Sequence, residues 1–208
     1  MTPVEDFLPG VLPLVPGCPI PVATHAVVNA AILFCEDSNV VRESLDSFVT
    51  SPGQARYELD VPAQQSTARI LQVTVNGRAI GMYPVSQAPA QRPGIATPTV
   101  AYTSMQDGIL EVVMHPTPDR TYDVAVEVAL RPSRKATRVN STLFEDWYRA
   151  ICHGAVAEIA AIPDQPFSNP PLAMHASSMF LRETTKAKNE SYKGKVRANL
   201  TVRPRRFI

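Results

Sequence analysis

The sequence predicts an α+β fold: a helical core, built from an N-terminal helix and a C-terminal antiparallel helical hairpin, with an inserted small antiparallel β subdomain and an extended C-terminal arm. Two observations predict it. Apolar residues recur at helical spacing near both ends of the chain, whereas short β-branched runs separated by turn signals occupy the middle. We therefore assign residues 1–39 and 141–197 to the helical core, 40–140 to the β subdomain and 198–208 to the arm.

The N-terminal helix is predicted to be apolar on most of its circumference. Pro19 and Pro21 suit its first turn, and the helical pattern continues to about Ser38. A helix with two apolar faces is buried all round, either within its own fold or by a neighbouring subunit. If a neighbouring subunit covers the second face, the interface residues would be Ala23, Val27, Ala30, Ala31 and Phe34.

The middle of the chain carries the strand signals. Asn76-Gly77 separates two β-branched runs, which is the strongest short signal for a hairpin. Residues 122–130 alternate strictly, with Val124, Val126 and Val128 on one face. The Pro-rich stretch 87–99 has no periodicity and is predicted to be a loop. These features predict an antiparallel sheet with one face on a core.

The helical period returns after residue 140 and predicts the C-terminal hairpin. We expect Ser141 or Thr142 to cap its first helix, with Glu145 completing a capping box. A second helix follows Pro170. Because the connection is short, the two helices are predicted to be antiparallel.

The C-terminal arm is cationic and has an apolar tip. Nine of the 20 Lys and Arg residues lie in the last 27 positions. The arm could dock into a protein, with apolar anchors and an arginine rim, or bind nucleic acid through phosphates; a solvated tail is the third alternative. The docking residues would be Leu200, Thr201, Val202, Arg203, Arg205, Arg206, Phe207 and Ile208. The residues that would contact DNA or an acidic protein surface are Lys186, Lys188, Lys193, Lys195 and Arg197.

Catalysis, metal binding and cofactor binding find little support in the sequence. Cys152 and His153 are adjacent, but neighbours on a helix point about 100° apart and cannot form a nucleophile–base pair. The four His and three Cys residues show no metal-ligand spacing, and no Gly-rich phosphate loop occurs. We expect a protein without an active site, metal or cofactor.

Membrane insertion is not expected either. No stretch approaches the roughly 18 apolar residues of a membrane span, and the N-terminal residues are acidic where a signal peptide would be basic. We therefore expect a soluble chain that is made in the cytoplasm.

Several short motifs occur in a characteristic order. In the first half they are FLPGVLPLVPGCP at residues 7–19 and FCEDS at 34–38. In the second half they are LRPS at 130–133, LFEDW at 143–147, ICHGA at 151–155 and IPDQPFSNP at 162–170. In this order the chain resembles the head-to-tail adaptor (connector) proteins of tailed bacteriophages, with only residues 87–99 falling outside the match.

The resemblance implies a function and a set of partners. It implies a ring, typically a dodecamer, that joins the phage portal to the tail and extends the channel through which genomic DNA passes without sequence recognition. The C-terminal arm, here about residues 196–208, would dock into the portal protein. A tail nozzle or another tail component would lie on the other side. The location would be the head-to-tail interface of the virion, after synthesis in the host cytoplasm.

Overall fold

The computed structural model describes residues 1–88, 94–106 and 109–193. Five α-helices lie in these ranges: α1 (Leu8–Val11), α2 (Ile20–Ser38), α3 (Ser141–Glu145), α4 (Tyr148–Ala160) and α5 (Pro170–Lys193). Single 3₁₀ turns at Val4–Phe7, Leu12–Leu14 and Val85–Gln87 accompany them.

Eleven strands in the same ranges form three sheets. They are β1 (Thr2–Pro3), β2 (Arg42–Ser44), β3 (Phe48–Val49), β4 (Arg56–Leu59), β5 (Gln65–Val75), β6 (Arg78–Ala79), β7 (Gly81–Pro84), β8 (Val100–Gln106), β9 (Ile109–His115), β10 (Asp123–Pro132) and β11 (Arg138–Val139). One sheet has the order β2-β10-β5-β6 with β3 also paired to β10, the second has the order β4-β9-β8-β7, and β1 pairs with β11.

The predicted fold class is wrong. The protein is mixed, about 41% helix and 29% strand, and is not dominated by a helical core. Nor is the β part small, because it has eleven strands within the described ranges. It is not wholly antiparallel either, because β7 and β8 pair in parallel. The physical reason is the packing of α2 on β10: buried residues of helices and strands belong to one hydrophobic cluster. The sheet is therefore a layer of the core itself.

The two strongest strand predictions are confirmed. Val124, Val126, Val128 and Leu130 of β10 are all buried, as the alternation indicated. The Asn76-Gly77 turn joins β5 to β6, and both turn residues have positive φ, 47° and 76°. Positive φ at both central positions is what a type I′ hairpin turn requires, and Asn-Gly tolerates it best. Of the predicted 87–99 loop, residues 89–93 lie outside the described ranges.

Helix α2 forms as predicted and is the central helix of the core. It ends at Asn39, whose left-handed backbone (φ 51°) lets its N–H donate to the Cys35 carbonyl at 2.9 Å. Contrary to the prediction, its length and apolar composition alone would allow a membrane crossing. Ten of its residues are buried in the protein, and a core helix acquires the same composition because it packs on several elements at once.

The C-terminal hairpin is antiparallel, as predicted. The Asn169 N–H donates to the Ala160 carbonyl at 2.9 Å, so the end of α4 lies beside the start of α5. The predicted cap is wrong, because the N-cap of α3 is Asn140 and not Ser141 or Thr142. The Asn140 Oδ1 accepts from the Thr142 N–H at 3.0 Å. The backbone then leaves helical geometry at Trp147 (φ −127°), which divides the predicted helix into α3 and α4.

Candidate interaction surfaces

Helix α5 packs on the rest of the protein through a buried row of small residues. Ala173, Ala176, Thr184 and Ala187 are its buried positions. Farther along this buried row, the Ser191 hydroxyl donates to the Ser38 carbonyl at 2.7 Å, which holds the end of α5 against the end of α2. Small side chains let helix backbones approach closely. The 24-residue helix is therefore anchored along its length.

Another side of α5 exposes large apolar side chains to solvent. Met174, Leu181 and Tyr192 are 75%, 59% and 67% exposed. Their spacings of 7 and 11 residues place them on one side of a helix. Ser178, Thr185 and Lys188 fill the intervening turns and are also exposed. We call this set of six residues the α5 stripe.

Helix α2 exposes a narrower face. The α2 stripe consists of Val22, His25, Asn29, Leu33 and Glu36, which follow helical spacing. Leu33 is 51% exposed. Two residues of the stripe contact neighbouring elements: the Asn29 amide donates to Glu158 of α4 at 2.8 Å, and Glu36 pairs with Arg131 of β10 at 3.3 Å. The α2 stripe thus lies between α4 and β10.

The residues predicted for a subunit interface lie elsewhere on α2. All are at most 2% exposed and pack inside the protomer. They are Ala23, Val27, Ala30, Ala31 and Phe34. Phe34, for example, contacts the rings of Trp147 and Phe180 at centroid distances of 5.4 and 6.2 Å. These side chains are therefore covered within the protomer.

The predicted basic contacts are only partly within the described residues. Lys186, Lys188 and Lys193 lie on α5 and are exposed. The Lys186 ammonium lies 5.6 Å from the Trp147 ring centroid, in a cation–π contact. Lys195 and Arg197 lie outside the described residues, as do the predicted docking residues Leu200, Thr201, Val202, Arg203, Arg205, Arg206, Phe207 and Ile208.

A groove of about 490 Å³ separates the start of α4 from α5. Its charged lining is balanced, with Arg149, Arg182 and Lys186 set against Glu145, Asp146 and Glu183. His153 also lines it. Burial, and then the nearby His175, lower the pKa of His153; Glu183 opposes this shift and Arg149 adds to it. Because its charges cancel, the groove does not favour an anionic ligand.

Stability should fall modestly as the pH drops below about 6.5, the ordinary pKa of histidine. The lowered pKa of His153 means that the unfolded chain binds its proton first, so folding stability is lost between the unfolded pKa and the lowered folded one. Urea unfolding at pH 7.5 and pH 5.5 measures the change, and His153→Gln is expected to reduce it. An unchanged pH dependence in His153→Gln would contradict this assignment.

Cys152 occupies a site that suppresses thiolate chemistry. Its Sγ donates to the Phe7 carbonyl at 3.7 Å, and burial raises the pKa of the thiol to about 11. The thiol is therefore protonated at neutral pH, and a protonated thiol is a poor nucleophile. Within the described ranges, His, Cys, Asp and Glu side chains form no group of three that could hold a metal ion.

A second cavity, about 420 Å³, lies beside the Asn76-Gly77 turn. Arg120 and Tyr122 line it. The Tyr122 hydroxyl donates to Asp119 at 2.6 Å and accepts from Arg120 Nε at 3.2 Å. The hydrogen bond from Tyr122 lowers the pKa of Asp119. These groups satisfy one another, and none of the predicted site residues lies here.

Sequence reasoning missed the α5 stripe. In α5, functional roles were predicted only for lysine residues, although Met174, Leu181 and Tyr192 recur on a face that an amphipathic helix should leave polar. Comparison with protein families and with curated proteins finds no match to this chain.

Proposed function

We propose that this protein is a ring-forming adaptor of the head-to-tail connector of a tailed bacteriophage. It joins the portal to a tail nozzle or another tail component and extends the DNA channel. The order of motifs from residue 7 to residue 170 is the observation that carries the proposal. In this proposal the protein resides in the virion, assembles as a dodecamer and has no catalytic role.

Two structural features support an assembly role. Both α2 and α5 display apolar side chains away from the protomer's own core, and such faces are typical of protein–protein contacts. Helix α5 is anchored at Ser191, two residues before its described end at Lys193. A firmly held helix can present the segment that follows it to a partner. In the proposal, residues 198–208 of that segment dock into the portal protein.

Deleting residues 198–208 tests the docking role. We expect the truncated chain to lose binding to the portal protein of the same virus, because the deletion removes both the apolar anchors and the arginine rim. Co-sedimentation with purified portal rings measures binding. Circular dichroism and the thermal midpoint serve as the folding controls, and we expect the core cluster formed by the described residues to persist in the truncated chain.

Two variants test whether the apolar anchors of the arm or the basic side chains of α5 are needed for portal binding. Phe207→Ala with Ile208→Ala should reduce portal affinity at least about tenfold, because buried anchors dominate binding energies. The triple variant Lys186→Ala, Lys188→Ala and Lys193→Ala should bind the portal nearly as well as the unchanged protein. Portal binding retained by the truncated chain would overturn the docking role.

The same variants address nucleic-acid binding, the alternative function. The exposed positions of Lys186, Lys188 and Lys193 favour it. Salt-sensitive binding to duplex DNA that the triple variant loses would support the alternative, because phosphate contacts release counterions.

A further inference from the structure

The α2 and α5 stripes belong to helices that run in the same direction. Helix α2 is antiparallel to α4, since Asn29 bonds Glu158 while Phe34, farther along, contacts Trp147. Helix α5 is antiparallel to α4 as well, and α2 and α5 end together at the Ser38–Ser191 hydrogen bond. A rotation about an axis parallel to these helices therefore leaves α5 of one copy parallel to α2 of the next.

The two stripes are complementary in charge. Helix α2 has no Lys or Arg, and its exposed end carries Glu36 and Asp37. The α5 stripe has no acidic residue and carries Lys188. Opposite charges at corresponding ends favour a parallel pairing over an antiparallel one.

Their spacing also matches. Val22 and Glu36 are 14 residues apart, and so are Met174 and Lys188. Each interval spans about 21 Å of helix, given a rise of about 1.5 Å per residue. In one parallel register Val22 therefore lies opposite Met174, and Glu36 lies opposite Lys188. The pair at Glu36 would extend the existing contact with Arg131 into a small network.

We propose that the α5 stripe of one copy packs in parallel against the α2 stripe of a second copy, in a heterologous contact that repeats from copy to copy. A contact between two different surfaces leaves one of each free on every copy, so it propagates and closes into a ring when the rotation divides the circle. The inference rests on the proposed ring and names the surfaces that build it.

Disulfide trapping tests the register. In it, Leu33 lies opposite Thr185, and both are exposed. The variant Leu33→Cys/Thr185→Cys should form intermolecular disulfides on mild oxidation of the concentrated protein, giving a ladder of oligomers on non-reducing gels. The native Cys18, Cys35 and Cys152 are buried and should not compete.

The matched control moves one cysteine along the same stripe. Leu33→Cys/Ser178→Cys displaces the second thiol by seven residues, about 10 Å. A disulfide needs Cα atoms within about 7 Å, so the control should give less than about a tenth of the cross-linked product. Adding Lys188→Glu to the double variant Leu33→Cys/Thr185→Cys should lower the yield of cross-linked product about fivefold, as expected for reversing one exposed ion pair.

The outcomes separate the contact from the function. Dimers formed by Leu33→Cys or Thr185→Cys alone would show a two-fold contact and overturn the proposal, as would equal yields in the two double variants or no ladder at all. The ladder should also form in the chain that lacks residues 198–208. A ladder in a protein that does not bind the portal would support this contact and contradict the adaptor function. Rings that bind the portal but give no ladder would support the adaptor function and contradict this contact.

Discussion

Replacing Phe34 with alanine is expected to lower the free energy of unfolding by about 3–5 kcal/mol, the range for deleting a buried aromatic side chain. Phe34 is fully buried and packs between Trp147 of the segment before α4 and Phe180 of α5. The substitution therefore leaves a cavity where α2 meets the C-terminal hairpin. Urea unfolding followed by circular dichroism measures the loss, which should be independent of protein concentration because the contacts lie within one protomer.

The matched control is the adjacent residue. Leu33→Ala changes a side chain that is half exposed, and we expect it to alter protomer stability by less than about 0.5 kcal/mol. In the proposed contact between copies, this substitution should instead weaken self-association. If Phe34→Ala left the protomer stable and changed only assembly, Phe34 would lie at a subunit interface, as the sequence pattern alone had indicated.

Sequence periodicity alone could not decide whether the apolar residues of α2 face a neighbouring subunit or the core of their own protomer. A helix that is apolar on most of its circumference needs two covering partners, and periodicity does not say whether the second is a strand of the same chain or another molecule. In this protein β10 supplies the cover, and the small residues Ala23 and Ala30 are buried within the protomer. The exposed large apolar residues of α2, which are Ile20, Val22 and Leu33, are too few to stand out in an already apolar sequence.

The elements that sequence did predict are those with local causes. The Asn76-Gly77 turn follows from the backbone freedom of its two residues, and the burial of alternate residues in β10 follows from strand geometry. The fold class failed because it depends on long-range pairing: the parallel partnership of β7 with β8 and the docking of α2 on β10 leave no local signal. The α5 stripe lies between these cases, since its spacing is visible in the sequence while its exposure is not.

Adding a side chain at Gly154 should destabilise the meeting point of α2, α4 and α5. A Cβ there would lie 2.8 Å from the Cβ of Ala30 and 2.8 Å from two ring carbons of Phe180. Gly154→Val is therefore expected to cost about 3 kcal/mol, the upper range for overpacking a core. Gly154→Ala should cost less, because alanine gains about 1 kcal/mol over glycine in a helix interior. Urea unfolding of both variants measures the costs.

A double-mutant cycle identifies which neighbour resists the added carbon. The Phe180 ring can rotate toward solvent because it is only partly buried, whereas the Ala30 Cβ is fixed to the α2 backbone. Ala30→Gly should therefore relieve much of the Gly154→Ala cost, with a coupling energy of about 1 kcal/mol, and an additive double variant would contradict this. Because Phe180 of α5 also lies against Gly154, the missing side chain at this position lets α5, the helix that precedes the docking segment in the proposed adaptor, pack closely on α4.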